Sequence, residues 1–424
     1  MSKLQGRNLV GLVVALALAA GTASATNGYY TTGTGTKSKA QAGAGSANPQ
    51  EVMSLATNPA NIAFVPDSID AGLGIFSPMR DYETSPSLAN GNGGAFTIGP
   101  NRIDSENEFF PIPFVGMNKA LSDVDYLAAA FYPRGGMNTK WVDGTATFDP
   151  DGPGPAPVTT FDGTYGGGTA GVDLMQAFLN LTYARKLSDQ FSLGASAIIA
   201  LQRFEARGVS TFAPYTETFA RSGGTVMPKN LSGNGHDMSY GYGASIGLQW
   251  NPVDMFSFAA AYTTKMSMGE FGDYADLFAD QGGFDMPATA TVGIAIKPND
   301  RLALMFDWQE IWYSDVGAVG NPIQNLFNCP SLGGTDFESC LGGNRGAGFG
   351  WEDMSVYKFG ASYQLDDTWT LRGGYSFADQ PIPNDQMTFN ILAPAVMEDH
   401  FTVGFTKKQA SGNECNLSFM YAPE

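Results

Sequence analysis

From about residue 68 onward the chain repeats one pattern, in which apolar side chains alternate with small or polar ones. That period sends successive side chains to opposite faces of a strand. The clearest run covers 240–250: Tyr240, Tyr242, Ala244, Ile246, Leu248 and Trp250 share one parity, and Ser239, Gly241, Gly243, Ser245, Gly247 and Gln249 the other. One face is greasy and aromatic-ended; the other is small and polar. The same split recurs over 256–262, 288–296, 302–308, 357–365, 369–375 and 401–405. Thirteen strands are predicted, starting near Ser68, Phe109, Asp125, Val172, Phe191, Ser239, Met255, Pro287, Arg301, Ser355, Thr368, Glu398 and Asn416.

Alternation alone would also describe a soluble sandwich, so the connections decide. Tight turns near 118–123, 186–190, 251–255, 297–301 and 365–368 alternate with long Gly/Pro/Asp-rich connections at 79–108, 134–171, 208–235, 269–285, 315–350 and 379–396. This is the order required of a barrel with one end in the periplasm and the other outside. The expected fold is all-β, a transmembrane antiparallel β-barrel over 67–424. Single-chain bacterial barrels close with an even count. Fourteen strands are therefore expected, thirteen in this chain, with the last one missing beyond Glu424.

Composition supports a lipid-facing wall: 15% of residues are charged, 12% are aromatic and 53 are glycine, against a usual charged share of about 25%. The net charge of −18 excludes the basic face that phosphate binding needs, so no nucleic-acid partner is expected. Lys3 and Arg7 precede an apolar run over 9–20 and a small-x-small site, Ala23-Ser24-Ala25. Residues 1–25 thus read as a signal peptide, with the mature chain starting near Thr26. Beyond it no stretch approaches the roughly 18 to 20 apolar residues that a membrane helix needs. In an exported protein Cys329 and Cys340, 11 residues apart in a Gly-rich loop, are expected to pair. Cys415 is left as a small buried or lipid-facing residue.

Before the first strand the pattern changes to a Gly/Ala/Ser-rich run over 32–47 and then EVMSLATNPANIAFV over 51–65. With the block GWEDMSVYKFGASYQLDDTWTLRGGYSFADQPIPND over 350–385, this resembles the FadL-like outer-membrane transporters of long-chain fatty acids and other hydrophobic compounds. The resemblance implies that residues 26–66 form a hatch plugging the lumen, with Asn58, Pro59 and Ala60 as its turn motif. It also implies passive uptake of hydrophobic small molecules at the outer membrane of a Gram-negative cell. Long-chain fatty acids are the expected cargo; hydrocarbons by the same route are the alternative, and a general porin a more distant one. The expected surroundings are outer-membrane lipid and lipopolysaccharide, the expected state a monomer, and neither cofactor nor metal is implied.

Several residues carry candidate roles. Pro133, Gly135 and Gly136 should bend the third strand or end it, since proline gives the ladder no donor and glycine weakens it. In the family, that strand bends inward and opens the wall sideways. Arg203, Glu205 and Arg207 share a parity that is read as facing the lumen, either as an ion-pair ladder or with Arg203 meeting a ligand carboxylate. Glu352 stands where the resemblance implies a basic residue, which keeps a neutral cargo open. Asn58, Arg203 and Glu352 are the ligand-binding candidates. Phe271, Leu277, Phe278 and Phe284 are expected to offer an apolar landing surface on the outer loops.

No enzyme is expected. Gly243-Ala244-Ser245-Ile246-Gly247 matches G-x-S-x-G, yet Ser245 sits mid-strand and not on a nucleophile elbow. His236 and His400 assemble neither a triad nor a metal cluster, and Asp149-Pro150-Asp151-Gly152 reads as a turn.

Overall fold

The computed structural model describes residues 26–86, 96–148 and 154–423. The signal peptide and the turn at 149–152 fall outside the described residues. Among the described residues thirteen long strands form the wall: β1 Ser68–Phe76, β2 Phe110–Ala120, β3 Asp125–Asn138, β4 Gly171–Ser188, β5 Phe191–Arg207, β6 Asp237–Val253 and β7 Phe256–Thr263; then β8 Thr289–Asn299, β9 Leu302–Ile311, β10 Met354–Gln364, β11 Trp369–Phe377, β12 Asp399–Lys408 and β13 Glu414–Tyr421. Every start lies within two residues of its expected place. Each strand pairs antiparallel with the next, from β1 through β13. Among the described residues no ladder joins β13 back to β1.

The parity of the sequence becomes the two faces of a β-barrel wall. On β6, Tyr240, Tyr242, Ile246 and Trp250 are exposed while Ser239, Ser245 and Gln249 are buried. On β1 the outward Ile69, Leu73 and Ile75 alternate with the inward Asp70, Gly72 and Gly74. An apolar belt of this extent would be an aggregation hazard in water, but it matches hydrocarbon. The ladder meanwhile satisfies the backbone groups that lipid cannot.

Residues 26–66 lie inside this wall, every one of them buried or half-buried except Pro66. The segment contains one short α-turn, Thr36–Lys39, and two 3-10 turns, Val52–Ala56 and Pro59–Phe64. Asp70 of β1 accepts the Val52 amide at 2.6 Å, and Lys37 reaches Glu414 of β13 at 2.6 Å. One segment touching the first and last strands means that the sheet wraps around it. Inward glycines make its seat: a Cβ on Gly194 would lie 2.5 Å from the Ala60 nitrogen, one on Gly247 2.1 Å from Asn58 Oδ1, and one on Gly374 2.2 Å from the Gln41 carbonyl carbon. Buried Asp307 on β9 accepts the Gly45 amide (3.0 Å), the Ser46 amide (2.9 Å) and the Ser46 hydroxyl (2.8 Å). Burial also acts on Glu51, pushing its carboxyl up to about 7.

Cys329 and Cys340 are joined in a disulfide within the loop between β9 and β10. Cys415 is exposed, sharing the outward parity of Leu417.

Candidate functional site

The wall is interrupted between β2 and β3. Their ladder runs only from Ala120 opposite Tyr126 to Val115 opposite Phe131, although both strands continue. The sequence supplies the cause. Proline is tolerated in a sheet where its missing N–H faces away from the paired neighbour. β2 pairs with β1 without a break from Phe110 to Asn118, so the missing donors of Pro111 and Pro113 face β3. Sequence reasoning missed these two prolines; their alternation in FPIPF was the available signal.

On its other side β3 stays paired with β4 as far as Asn138 opposite Asp173, with a bulge at Arg134 where the register shifts between Pro133 and Gly135. The strand therefore neither ends nor loses its order at Pro133. Its free edge is taken up by the N-terminal segment: Tyr30 pairs with Gly135, and the Gly136 amide donates to the Tyr29 carbonyl at 3.0 Å. Glycine is required by the closeness of these backbones. A Cβ on Gly135 would sit 2.4 Å from the Tyr29 oxygen, and one on Gly136 2.5 Å from the Leu174 oxygen. The bulge turns Arg134 inward, 3.9 Å from the centroid of the Tyr30 ring.

Where the ladder stops, a cavity of about 640 Å³ runs through the wall. Tyr29, Gln176 and Gln202 line it from inside, whereas Phe131, Met175 and Leu201 line it from the outward face. Most of its surface is hydrocarbon. Its inner end meets an aromatic clamp in which Tyr29 packs on Tyr30, Tyr313 and Trp351 at centroid distances of 5.1, 5.0 and 5.7 Å. The Tyr313 hydroxyl donates to the Asn27 carbonyl at 2.6 Å, tying this end of the segment to the loop after β9. Burial pushes the Tyr30 phenol up to about 12, so the clamp stays neutral.

The opposite end of the segment is held at the short-turn side of the wall. Asn58 caps Pro59–Phe64 by accepting the Ala60 amide at 3.1 Å, and its Nδ2 donates to the Leu248 carbonyl at 2.9 Å and to Asn61 Oδ1 at 3.1 Å. Pro59 supplies the fixed φ that starts this turn, and Ser192 donates to the Ala60 carbonyl at 3.0 Å. Engaged in this way, Asn58 anchors the segment to β6.

The lumen-facing reading of the three charges on β5 is corrected by the structure, although Arg203 also lines the wall cavity. Arg203, Glu205 and Arg207 face outward, while Phe204 and Gln202 face in. The outward parity of Leu193 and Ile199 runs straight on to Arg203. β5 has 17 residues, against the roughly 9 to 11 that cross a bilayer, so its last turns stand beyond the lipid where outward charge is solvated. There Arg203 pairs with Asp173 at 3.0 Å, Arg207 with Glu205 at 2.6 Å, and His236 lies 2.8 Å from Asp173. Glu352 is exposed in the loop before β10, away from the wall cavity.

The loop aromatics also differ from expectation. Phe271, Phe278 and Phe284 are buried and close over Phe204, with ring centroids 5.5, 4.7 and 6.5 Å from it. They form a roof core, not an open landing surface. Beside them, Phe212, Phe389 and Leu392 line a small apolar cavity of about 40 Å³. Ser245 faces the lumen mid-strand in β6, and among the described residues no cluster suited to a metal ion is present.

Residues 12–411 match the family described as outer membrane protein transport protein (OMPP1/FadL/TodX). The long-chain fatty acid transport protein of Salmonella typhi is 26% identical over 254 residues, covering 55% of this chain and 57% of that protein. That of Escherichia coli (strain K12) is 25% identical over 265 residues, covering 55% and 58%. The chain thus spans a little over half the length of the curated relatives it matches. Among solved structures, the toluene transporter TodX of Pseudomonas putida aligns with a TM-score of 0.60 at 17% identity, covering 93% of this chain and 94% of that one. A FadL homologue of Pseudomonas aeruginosa aligns with a TM-score of 0.60 at 18% identity, covering 93% and 90%.

Proposed function

Since the chain belongs to the outer membrane protein transport family (OMPP1/FadL/TodX), whose members carry hydrophobic compounds across that membrane, we propose that it passes such molecules laterally through its own wall, long-chain fatty acids foremost. The observation that carries this reading is the cavity at the β2–β3 interruption, lined from both the inner and outer faces. A greasy molecule leaving by that route enters hydrocarbon directly and never crosses the polar periplasmic end.

In this reading residues 26–66 are a hatch and divide the described chain into plug and barrel. Asn58, Pro59 and Ala60 fix its lower end, while the pairing of Tyr30 with Gly135 ties its upper end to the bent strand. Movement of the hatch then changes the shape of the wall opening, because the two share a ladder. Pro133, Gly135 and Gly136 make the kink and Cys329–Cys340 braces the loop above. Transport runs down the gradient. A neutral hydrocarbon fits the apolar part of the passage as well, which makes it the second reading.

Cells producing the full chain should take up labelled oleate faster than cells without it, while the purified protein in a planar bilayer shows little ion conductance. Steady porin-like conductance together with no oleate or toluene uptake would refute the proposal.

A further inference from the structure

The wall cavity is lined by two cations that form no ion pair among the described residues. Arg80 follows β1, lines the cavity, and has its Nη1 buried without a hydrogen-bond partner. Its guanidinium lies 5.7 Å from the centroid of the Phe76 ring, and among the described residues it forms no ion pair. Lys39 comes from the hatch and also lines the cavity, with its Nζ 3.4 Å from where a Cβ on Gly74 would be. It too forms no ion pair among the described residues, although the Glu51 carboxyl counters part of the effect of its burial. Asp173, the carboxylate in the lining, is committed to Arg203 and His236 at the outer rim.

Gly74 and Phe76 lie two residues apart on the inward face of β1, about 7 Å along the strand. Both cations therefore head the same end of the cavity. Withdrawing an unpaired cation from water is costly, and burial lowers the proton affinity of both groups. Glu51 offsets part of that cost at Lys39, and among the described residues no carboxylate pairs with Arg80. The remaining surface, with Ile112, Phe131, Leu201 and Met238, suits hydrocarbon.

We propose that Arg80 and Lys39 form an anion site at the inner end of the wall cavity, taking the carboxylate head of a single-chain amphiphile whose tail lies in the gap between β2 and β3. The inference rests on the lateral passage proposed above and assigns its head-group station. The geometry of a guanidinium suits a carboxylate bidentately, and a cavity of about 640 Å³ is within the usual range for a small-molecule site. Held this way, the tail enters the bilayer first and the head leaves last.

Equilibrium binding of oleate and of oleyl alcohol to the purified full chain in lipid nanodiscs tests it. Wild type should prefer oleate. Arg80→Gln should weaken oleate about 10- to 100-fold, the scale of lost charge-assisted hydrogen bonds, and leave oleyl alcohol within about twofold. Lys39→Gln should show a smaller selective loss, and Arg80→Lys should recover part of it. Unchanged oleate binding in both glutamine variants overturns the site. If Arg80→Gln loses both ligands, it has misfolded, and Lys39→Gln and Arg80→Lys decide: equal effects on the two ligands overturn the site, selective loss of oleate supports it. Wild type binding neither ligand rejects the passage itself, whereas binding both equally rejects only the head-group site.

Discussion

Replacing Asp307 by alanine should release the hatch from the wall without unfolding the barrel. The carboxylate is buried and accepts three hydrogen bonds from two consecutive hatch residues, at 3.0, 2.9 and 2.8 Å. Truncation leaves two backbone amides and one hydroxyl without their acceptor, each worth about 1–3 kcal/mol when buried and unsatisfied. Removing a desolvated carboxylate offsets part of this loss. A net weakening of about 3 kcal/mol remains, which makes local opening about a hundredfold more frequent. Hydrogen exchange read by mass spectrometry on peptides spanning 42–48 measures it, because exchange of protected amides follows the opening equilibrium. Asp307→Asn keeps one acceptor oxygen and should fall between alanine and wild type. Wild-type exchange at the Gly45 and Ser46 amides in Asp307→Ala would refute the argument, as would an equal acceleration of every wall strand.

Glu51 gives the hatch a pH dependence. Its folded carboxyl sits near 7 against an ordinary 4.5, so stability is fully present below about pH 4.5 and is lost as pH rises through 7. The change amounts to roughly 3 kcal/mol. Glu51→Gln should flatten that slope in hatch protease resistance measured from pH 4 to 8; an unchanged slope rejects the assignment. Gly247→Val should displace Asn58, since even a Cβ would lie 2.1 Å from its Oδ1, and should raise exchange at 58–62 while leaving the β6 ladder protected. Reducing Cys329–Cys340, which closes a loop of 11 residues, should cost that loop about 3 kcal/mol. The expected sign is faster proteolysis over 315–350 with wall strands unaffected.

The wall was legible because alternation and connection length are both properties of single strands and turns. Every strand start could be placed from where parity begins and where turn residues cluster. The site was less legible, because parity says that two faces exist and not which one points in. Arg203 was assigned by its charge, although Leu193 and Ile199 on the same parity already marked that face as the outer one. Phe204 points inward because the roof above the lumen is apolar, a fact that resides in three distant loop rings. Arg80 was invisible for a different reason: the role proposed for it depends on its having no ion-pair partner among the described residues, and only folded proximity reveals that. Pro111 and Pro113, by contrast, could have been read directly, as missing donors on one edge of one strand.

The most direct test of the lateral passage is to close it. Continuing the β2–β3 register past Val115 opposite Phe131 sets Pro113 opposite Pro133. In a Cys415→Ser background, which removes the exposed free thiol, cysteines at Pro113 and Pro133 joined by a short reducible crosslinker should bar the gap. Uptake of labelled oleate should fall to the level of cells lacking the protein when the bridge is formed, and return on reduction. Uptake that continues at the wild-type rate with the bridge in place would contradict the account.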